Sequence, residues 1–323
     1  MAKSPTLSDI YTARRYVYRH LTPTPLRRYA GINKLVGTEI WIKHENHNPT
    51  GSFKVRGGIN LAARLSDSER KAGLFTASTG NHGQSIAYAA MIQDIKATIA
   101  VPVGANPSKV LSMQELGADV VFHGADFDTA REWITEQAHV KGGRFVTPTE
   151  TLLIEGVGTY AIEIIESLPQ VDTIIVPVGA GSGICGTAIV AKSINKDIQV
   201  IGVQSAQAPA MQLSWSKGRM IEAEMRTSAE GLATRVPFEN TQSIMRELLD
   251  DFVLVEDSSL EEAVILLMKY THNLVEEAGA ASLAAALSMK AQLQNKNTVL
   301  ILSGGNQSLD KLRTLLLKSQ PEM

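Results

Sequence analysis

From Gly73 onward the chain alternates short apolar runs with amphipathic stretches, and this alternation narrows the possible folds more than any other feature. Leu74–Ala77, Ala97–Val101 and Asp119–Phe122 read as strands, and residues 81–93, 107–116 and 126–140 read as the helices after them. Strands joined through helices pair in parallel, because a parallel pair needs a long crossover. Lys141-Gly142-Gly143-Arg144 and the strand-like Phe145-Val146 lead to Pro148, where the chain is expected to leave this unit. The alternation then resumes: helix 158–167, strand 173–178, helix 183–194, strand 199–204, helices across 208–217 and 259–277, helix 280–292 and strand Thr298–Leu302. Ile174-Ile175-Val176 and Val299-Leu300-Ile301-Leu302 are unbroken apolar runs, which suits strands covered on both faces. No regular pattern stands out in residues 218–257, and no element is assigned there.

Before this region, a helix over 7–18 with Ser8 as its cap is followed by the extended Thr22-Pro23-Thr24-Pro25 and a strand over 39–44. That strand runs into Asn48-Pro49-Thr50-Gly51-Ser52-Phe53-Lys54-Val55-Arg56-Gly57-Gly58. Pro49 and Gly51 mark a loop, Ser52 or Thr50 is placed to cap a helix starting near Phe53, and Lys54 falls in its first turn. The helix should end near Leu65, ahead of another after Ser66. A helix N-terminus and burial both disfavour a cation, so a lysine there has its pKa lowered toward a usable nucleophile or base. A solvated surface lysine is the plain alternative, and this segment alone does not choose between them.

The chain has 323 residues, 44% of them hydrophobic and 20% charged, enough for two domains with a core each. A formal charge of −2 gives no pull toward nucleic acid or a membrane surface. Met1 to His20 holds no apolar run of signal type, so a cytoplasmic location is expected. The single cysteine, Cys185, excludes an internal disulfide and a cysteine-rich metal site.

Three strand-to-helix turns follow predicted parallel strands, where ligands bind in open α/β sheets. In Thr76-Ala77-Ser78-Thr79-Gly80-Asn81-His82-Gly83-Gln84, backbone amides and the Ser78 and Thr79 hydroxyls suit a carboxylate, or simply cap a helix. His82 is either an acid/base or, as histidines at helix starts more often are, structural. In Val178-Gly179-Ala180-Gly181-Ser182-Gly183-Ile184-Cys185-Gly186, close-set glycines let amides converge on a phosphate. Gly181, Gly183 and Gly186 also satisfy a dinucleotide fingerprint, but the acidic residue expected at the end of the next strand is Gln204, so a single phosphate fits better. The third turn, Leu302-Ser303-Gly304-Gly305-Asn306, offers a short hydroxyl at Ser303 and by itself is a common connection. A helix-end lysine for a Schiff base, a phosphate cradle and a hydroxyl for a pyridine nitrogen together are the parts that hold pyridoxal phosphate.

In this combination and order, Thr50-Gly51-Ser52-Phe53-Lys54-Val55-Arg56-Gly57, Ser78-Thr79-Gly80-Asn81-His82-Gly83-Gln84, Gly179-Ala180-Gly181-Ser182-Gly183 and Ser303-Gly304-Gly305-Asn306 closely resemble the serine/threonine dehydratase family. These are fold-type-II pyridoxal-phosphate enzymes, a group that includes serine racemase. The resemblance spans nearly the whole chain. It implies an α/β protein with two open twisted sheets flanked by helices, a large domain over 1–68 and 152–323, a smaller one inserted over 69–151, and the cofactor in the cleft between them. It makes Lys54 the Schiff-base lysine and the base at Cα, with Phe53 packed beside it. Asn81 then meets the phenolic oxygen, Gly179, Ala180, Gly181, Ser182 and Gly183 hold the phosphate, and Ser303 faces the pyridine nitrogen. Ser78, Thr79, Gly80, Asn81 and His82 hold the substrate carboxylate, and Glu276 lies near the ring.

The implied reaction is β-elimination of L-threonine or L-serine to a 2-oxo acid and ammonia by a cytoplasmic homodimer. Racemisation, dehydration of 3-hydroxyaspartate or phenylserine, and non-catalytic binding of amino acid or cofactor are the alternatives. Racemisation needs a second acid/base opposite Lys54, where Thr79 offers only a hindered hydroxyl. Ala180 and Ser182 depart from an all-glycine phosphate loop. Gln204, Ala208 and Ala210 stand where racemase-like members need acids, so no divalent metal is expected. Glu277 replaces a proline common in the family. After helix 308–318 no room remains for a regulatory domain, so no feedback inhibition by isoleucine through such a domain is expected.

Overall fold

Among residues 4–318, which the computed structural model describes, ten strands build two sheets. Residues 1–3 and 319–323, the outer ends of the expected unit 1–68 and 152–323, lie outside the described residues. In chain order the strands are β1 (Leu26–Arg28), β2 (Ile40–His44), β3 (Leu74–Ala77), β4 (Ala97–Val101), β5 (Asp119–Phe122), β6 (Arg144–Phe145), β7 (Thr173–Pro177), β8 (Gln199–Ser205), β9 (Asp251–Val255) and β10 (Thr298–Leu302). One sheet has the order β1-β2-β10-β7-β8-β9 and the other β5-β4-β3-β6. Every pairing is parallel except the short β1 on β2.

Neighbouring residues on the strands of the larger sheet feed opposite cores, as the unbroken apolar runs require. Ile42, Ile175, Ile201 and Leu300 pack with the helices Ala30–Val36, Asp257–Thr271 and Glu277–Ser288. Ile174, Val176, Val200 and Val299 pack on the other side with Leu7–Val17, Thr151–Ser167 and Ser182–Ile194. In the smaller sheet, Leu74 and Ile99 face Asn81–Ile92, while Phe75 and Ala100 face Phe127–Val140. No helix among the described residues is long and apolar enough to cross a membrane.

Several boundaries differ from the sequence expectation. The first helix is capped by Thr6, whose hydroxyl accepts from the Asp9 amide in a reciprocal box, and not by Ser8. The helix expected at 158 starts at Thr151. Gly156 and Gly158 are contacts within it rather than breaks: a Cβ at 156 would stand 2.4 Å from the Arg56 carbonyl oxygen, and one at 158 would stand 2.8 Å from Ile10. The single helix expected over 259–277 stops at Thr271, because His272 takes the left-handed conformation at φ 59°, and a new helix starts at Glu277. The stretch 218–257 contains the helix Glu239–Leu248 and the edge strand β9.

Beneath the start of the helix Lys54–Ala63 lies a buried ionic cluster. The Arg56 guanidinium pairs with Glu45 at 2.7 Å and Glu163 at 2.6 Å, and Lys43 pairs with Glu163 at 2.5 Å. Burial pulls the Glu163 carboxyl up, but the charges of Arg56 and Lys43 outweigh it and hold the group below the usual carboxylate range. Removing one partner from such a cluster strands the others in a dry interior. Glu163→Leu should therefore lower the unfolding free energy by about 3–5 kcal/mol, measured by urea denaturation. Glu166→Ala, which breaks the partly exposed pair Arg14–Glu166, should cost less than about 1 kcal/mol.

Candidate active site

Lys54 lies in the first turn of its helix, as expected, and is the residue that opens it; it sits half-buried with its ammonium 5.0 Å from the centre of the Phe53 ring. The expected cap is absent. Phe53 at the cap position already has helical φ and ψ, so no side chain there turns back to the first amides, and the Ser52 and Thr50 hydroxyls are buried without partners among the described residues. Backbone bonds hold the loop instead. The Phe53 N–H donates to the Ser303 carbonyl at 3.1 Å, and the Gly305 N–H to the Gly51 carbonyl at 2.9 Å. These bonds tie the lysine loop to the turn after β10, two segments about 250 residues apart. Burial lowers the Lys54 pKa to about 8, and the Glu276 carboxylate partly offsets this.

The turn after β3 lies close enough to Lys54 that the lysine charge reaches His82. Ser78 Oγ accepts from the amides of Gly80 and Gly83, which leaves the first helical amides, of Asn81 and His82, unpartnered among the described residues. The His82 ring points into the protein. Its Nε2 donates to Thr76 Oγ1, whose own hydrogen goes to the Val146 carbonyl. Burial, and then the Lys54 charge, push its pKa down to about 3, so the ring is a neutral structural group. Any part His82 takes in holding an anion belongs to its backbone.

The turn after β7 is a cradle. Gly181 is at φ 102°, a left-handed conformation that starts the helix Ser182–Ile194. The Thr241 hydroxyl holds it from the side, donating to the Ala180 carbonyl at 2.9 Å. A Cβ at Gly179 would stand 2.2 Å from the Gly231 carbonyl oxygen. The Ser182 and Gly183 amides open the helix and carry the positive end of its dipole. Gly183 faces the Phe53 ring, which in turn packs edge-on to Tyr160.

After β10, Ser303 is buried with its hydroxyl 3.4 Å from the Ala278 carbonyl. Gly304 leaves room for Glu276, and a Cβ there would stand 2.2 Å from Glu276 Oε1. Burial raises the Glu276 pKa, opposed by the hydrogen bond from Asn81. Thus Lys54, Phe53, the turn 78–82, the cradle 179–183 and Ser303 all lie on turns that leave the carboxyl ends of β2, β3, β7 and β10. Bare unpaired amides at two helix starts, with a lysine of lowered pKa between them, suit a phosphorylated carbonyl compound and a carboxylate.

The family description "Pyridoxal-phosphate dependent enzyme" matches residues 17–304. The chain belongs to this family. It is 37% identical to the L-threonine ammonia-lyase of Thermotoga maritima over 315 residues, 97% of this chain and 78% of the relative. Its fold is similar to the processed threonine deaminase isoform 2 of Solanum lycopersicum, with a TM-score of 0.90, 30% identity and coverage of 97% and 94% of the two chains. It is likewise similar to maize serine racemase, with a TM-score of 0.91, 29% identity and coverage of 98% and 99%.

The residues present fit the cofactor. Gly179, Gly181 and Gly183 bring no side chain to the cradle, the Ser182 and Gly183 amides have no partner among the described residues, and the Lys54 pKa is lowered to about 8. Sequence reasoning missed Thr241 and Gly231, which shape the cradle from the stretch left unassigned, and gave Asn306 no role. Lys109 pairs with Glu230, and Arg235 pairs with Asp128 at 2.6 Å, so this stretch also bridges to the helices of the smaller sheet. Only the neutral amine attacks an aldehyde. The rate at which cofactor-free protein captures pyridoxal phosphate should therefore rise with pH and level off above about 8. Stopped-flow absorbance checks this, and a rise continuing to an ordinary lysine value of 10.5 would contradict it.

Proposed function

We propose that this chain is a pyridoxal-phosphate-dependent ammonia-lyase that converts L-threonine or L-serine to a 2-oxo acid and ammonia. The observation that carries the reading is the Lys54 amine, with its pKa lowered to about 8, among a phosphate cradle, a carboxylate-binding turn and Ser303. The similarity to the Thermotoga maritima enzyme supports the same reaction class. When bound, pyridoxal phosphate supplies an electron sink for charge that develops at the α-carbon of an amino acid.

The residues of the chain have distinct tasks around that chemistry. The amides of 179–183 bind the phosphate, with Gly181 setting their direction. Phe53 packs beside the ring, Asn81 donates to the phenolic oxygen, and Ser303 faces the pyridine nitrogen. Because Ser303 is neutral, it gives the nitrogen a hydrogen bond without the ion pair that would hold a proton there. The carboxylate of the substrate lies against the turn 78–82, held by the Asn81 and His82 amides and the Ser78 and Thr79 hydroxyls. The Lys54 Nζ anchors the cofactor and, once released, takes the proton from the α-carbon. Burial lowers its pKa to about 8, so the proton-free amine that a base needs is far more available near neutral pH than in an ordinary lysine.

The same reading divides the chain into a large unit over 1–68 and 152–323 and an inserted unit over 69–151, acting as a homodimer in the cytoplasm. Oxo-acid release from threonine, serine, 3-hydroxyaspartate and phenylserine, measured beside inversion at the α-carbon, tests the function. Release from threonine or serine should exceed both inversion and release from the other two, and Lys54→Ala should lower it by about a thousandfold or more. Inversion outpacing release would replace this reading with a racemase.

A further inference from the structure

Three hydrogen bonds fix the orientation of two side-chain amides in the site. They start from the Thr50 carbonyl, which can only accept. The Asn306 atom 2.8 Å from it is therefore the NH2 nitrogen, Nδ2. The same Nδ2 lies 2.7 Å from the Asn81 side chain, so the atom it meets there is the oxygen, Oδ1. Asn81 is thereby turned with its own NH2 toward Glu276, donating to Oε1 at 2.6 Å. That NH2 has two hydrogens, and among the described residues the second has no acceptor. Gly304 makes the arrangement possible, since a Cβ there would clash with Glu276 Oε1 and crowd Asn81 Nδ2 at 3.3 Å. A backbone carbonyl in the lysine loop thus decides which end of Asn81 carries the free donor.

We propose that Asn306 and Glu276 are positioning residues that present the donor end of the Asn81 amide to the phenolic oxygen of pyridoxal phosphate. This rests on the reading of Asn81 given above. An N–H facing that oxygen favours its ionised form, whereas a carbonyl facing it favours the protonated phenol. The pair therefore sets the tautomer of the Lys54 Schiff base through Asn81, without meeting the reacting atoms.

The test is the absorbance of the cofactor-loaded protein without substrate, in which the phenolate form absorbs at longer wavelength than the phenol form. Asn306→Asp replaces the donor with an acceptor, so two carboxylates compete for one NH2 group. The ratio of long- to short-wavelength bands should fall by about tenfold, the scale of one net hydrogen bond, and the melting temperature should fall with it. Adding Glu276→Gln restores the charge count and offers an NH2 to the Asn81 oxygen, so the Asn81 amide is satisfied when reversed, while the Thr50 carbonyl still lacks the donor it has in the wild type. The double variant should regain part of the melting temperature lost in the single variant while its band ratio stays low, and it reads the same ratio if the single variant does not fold. A wild-type ratio in either variant overturns the proposal, as does a ratio that recovers together with stability. A wild-type protein with no Lys54-dependent band overturns the cofactor reading itself, and this proposal with it.

Discussion

Arg56, two residues beyond Lys54, has no exposed surface and is held by carboxylates from two directions. Around it meet Thr24 from the N-terminal extended segment, Lys43 and Glu45 from the end of β2, Asn48 from the lysine loop, and Thr159 and Glu163 from the helix Thr151–Ser167. Two cations balance two anions, so the cluster is neutral as a whole and each charge is answered locally. Such a cluster adds little net stability compared with an apolar core of the same volume. Its directional bonds, however, are satisfied in one register of the five segments and broken in others. The position of Lys54 over the strand ends follows from that register, since its helix is fixed at Arg56 and its loop at Ser303.

The site above this anchor sorts charge by position. Burial pushes Lys54 and His82 toward their neutral forms and raises Glu276 toward its own. Negative charge is favoured where unpaired helix amides point, at the turn after β3 and at the cradle after β7. Under the proposed function, the phosphate of the cofactor and the carboxylate of the substrate take these two places, with the Lys54 amine of lowered pKa between them. The two sheets supply different halves of this arrangement, and the polar bridges Lys109–Glu230 and Arg235–Asp128 tie the helices of the smaller sheet to residues 230–235.

Much of this was legible because its signals are local. Strands β3, β4, β5 and β10 coincide with their apolar runs to the residue, and the three polar turns follow strands as expected. The failures share a cause in distant contacts. Gly156 and Gly158 look like helix breakers but mark close approach to other backbone and side chains. His272 ends a helix in a left-handed conformation usually signalled by glycine. Thr241 matters because it reaches the Ala180 carbonyl from 61 residues away. Asn306 stood inside a motif already singled out, yet its role depends on the Thr50 carbonyl 256 residues distant, and nothing in the linear pattern reports that meeting.

The central claim is that one lysine, Lys54, is the covalent anchor, although Lys43 is buried and close by in sequence. Borohydride reduction of the pyridoxal-phosphate-loaded protein, followed by peptide mass mapping, reads the anchor directly. The account predicts the cofactor mass on the peptide carrying Lys54 and on no other. A label on Lys43 or any other lysine, or no label after reduction, would contradict it.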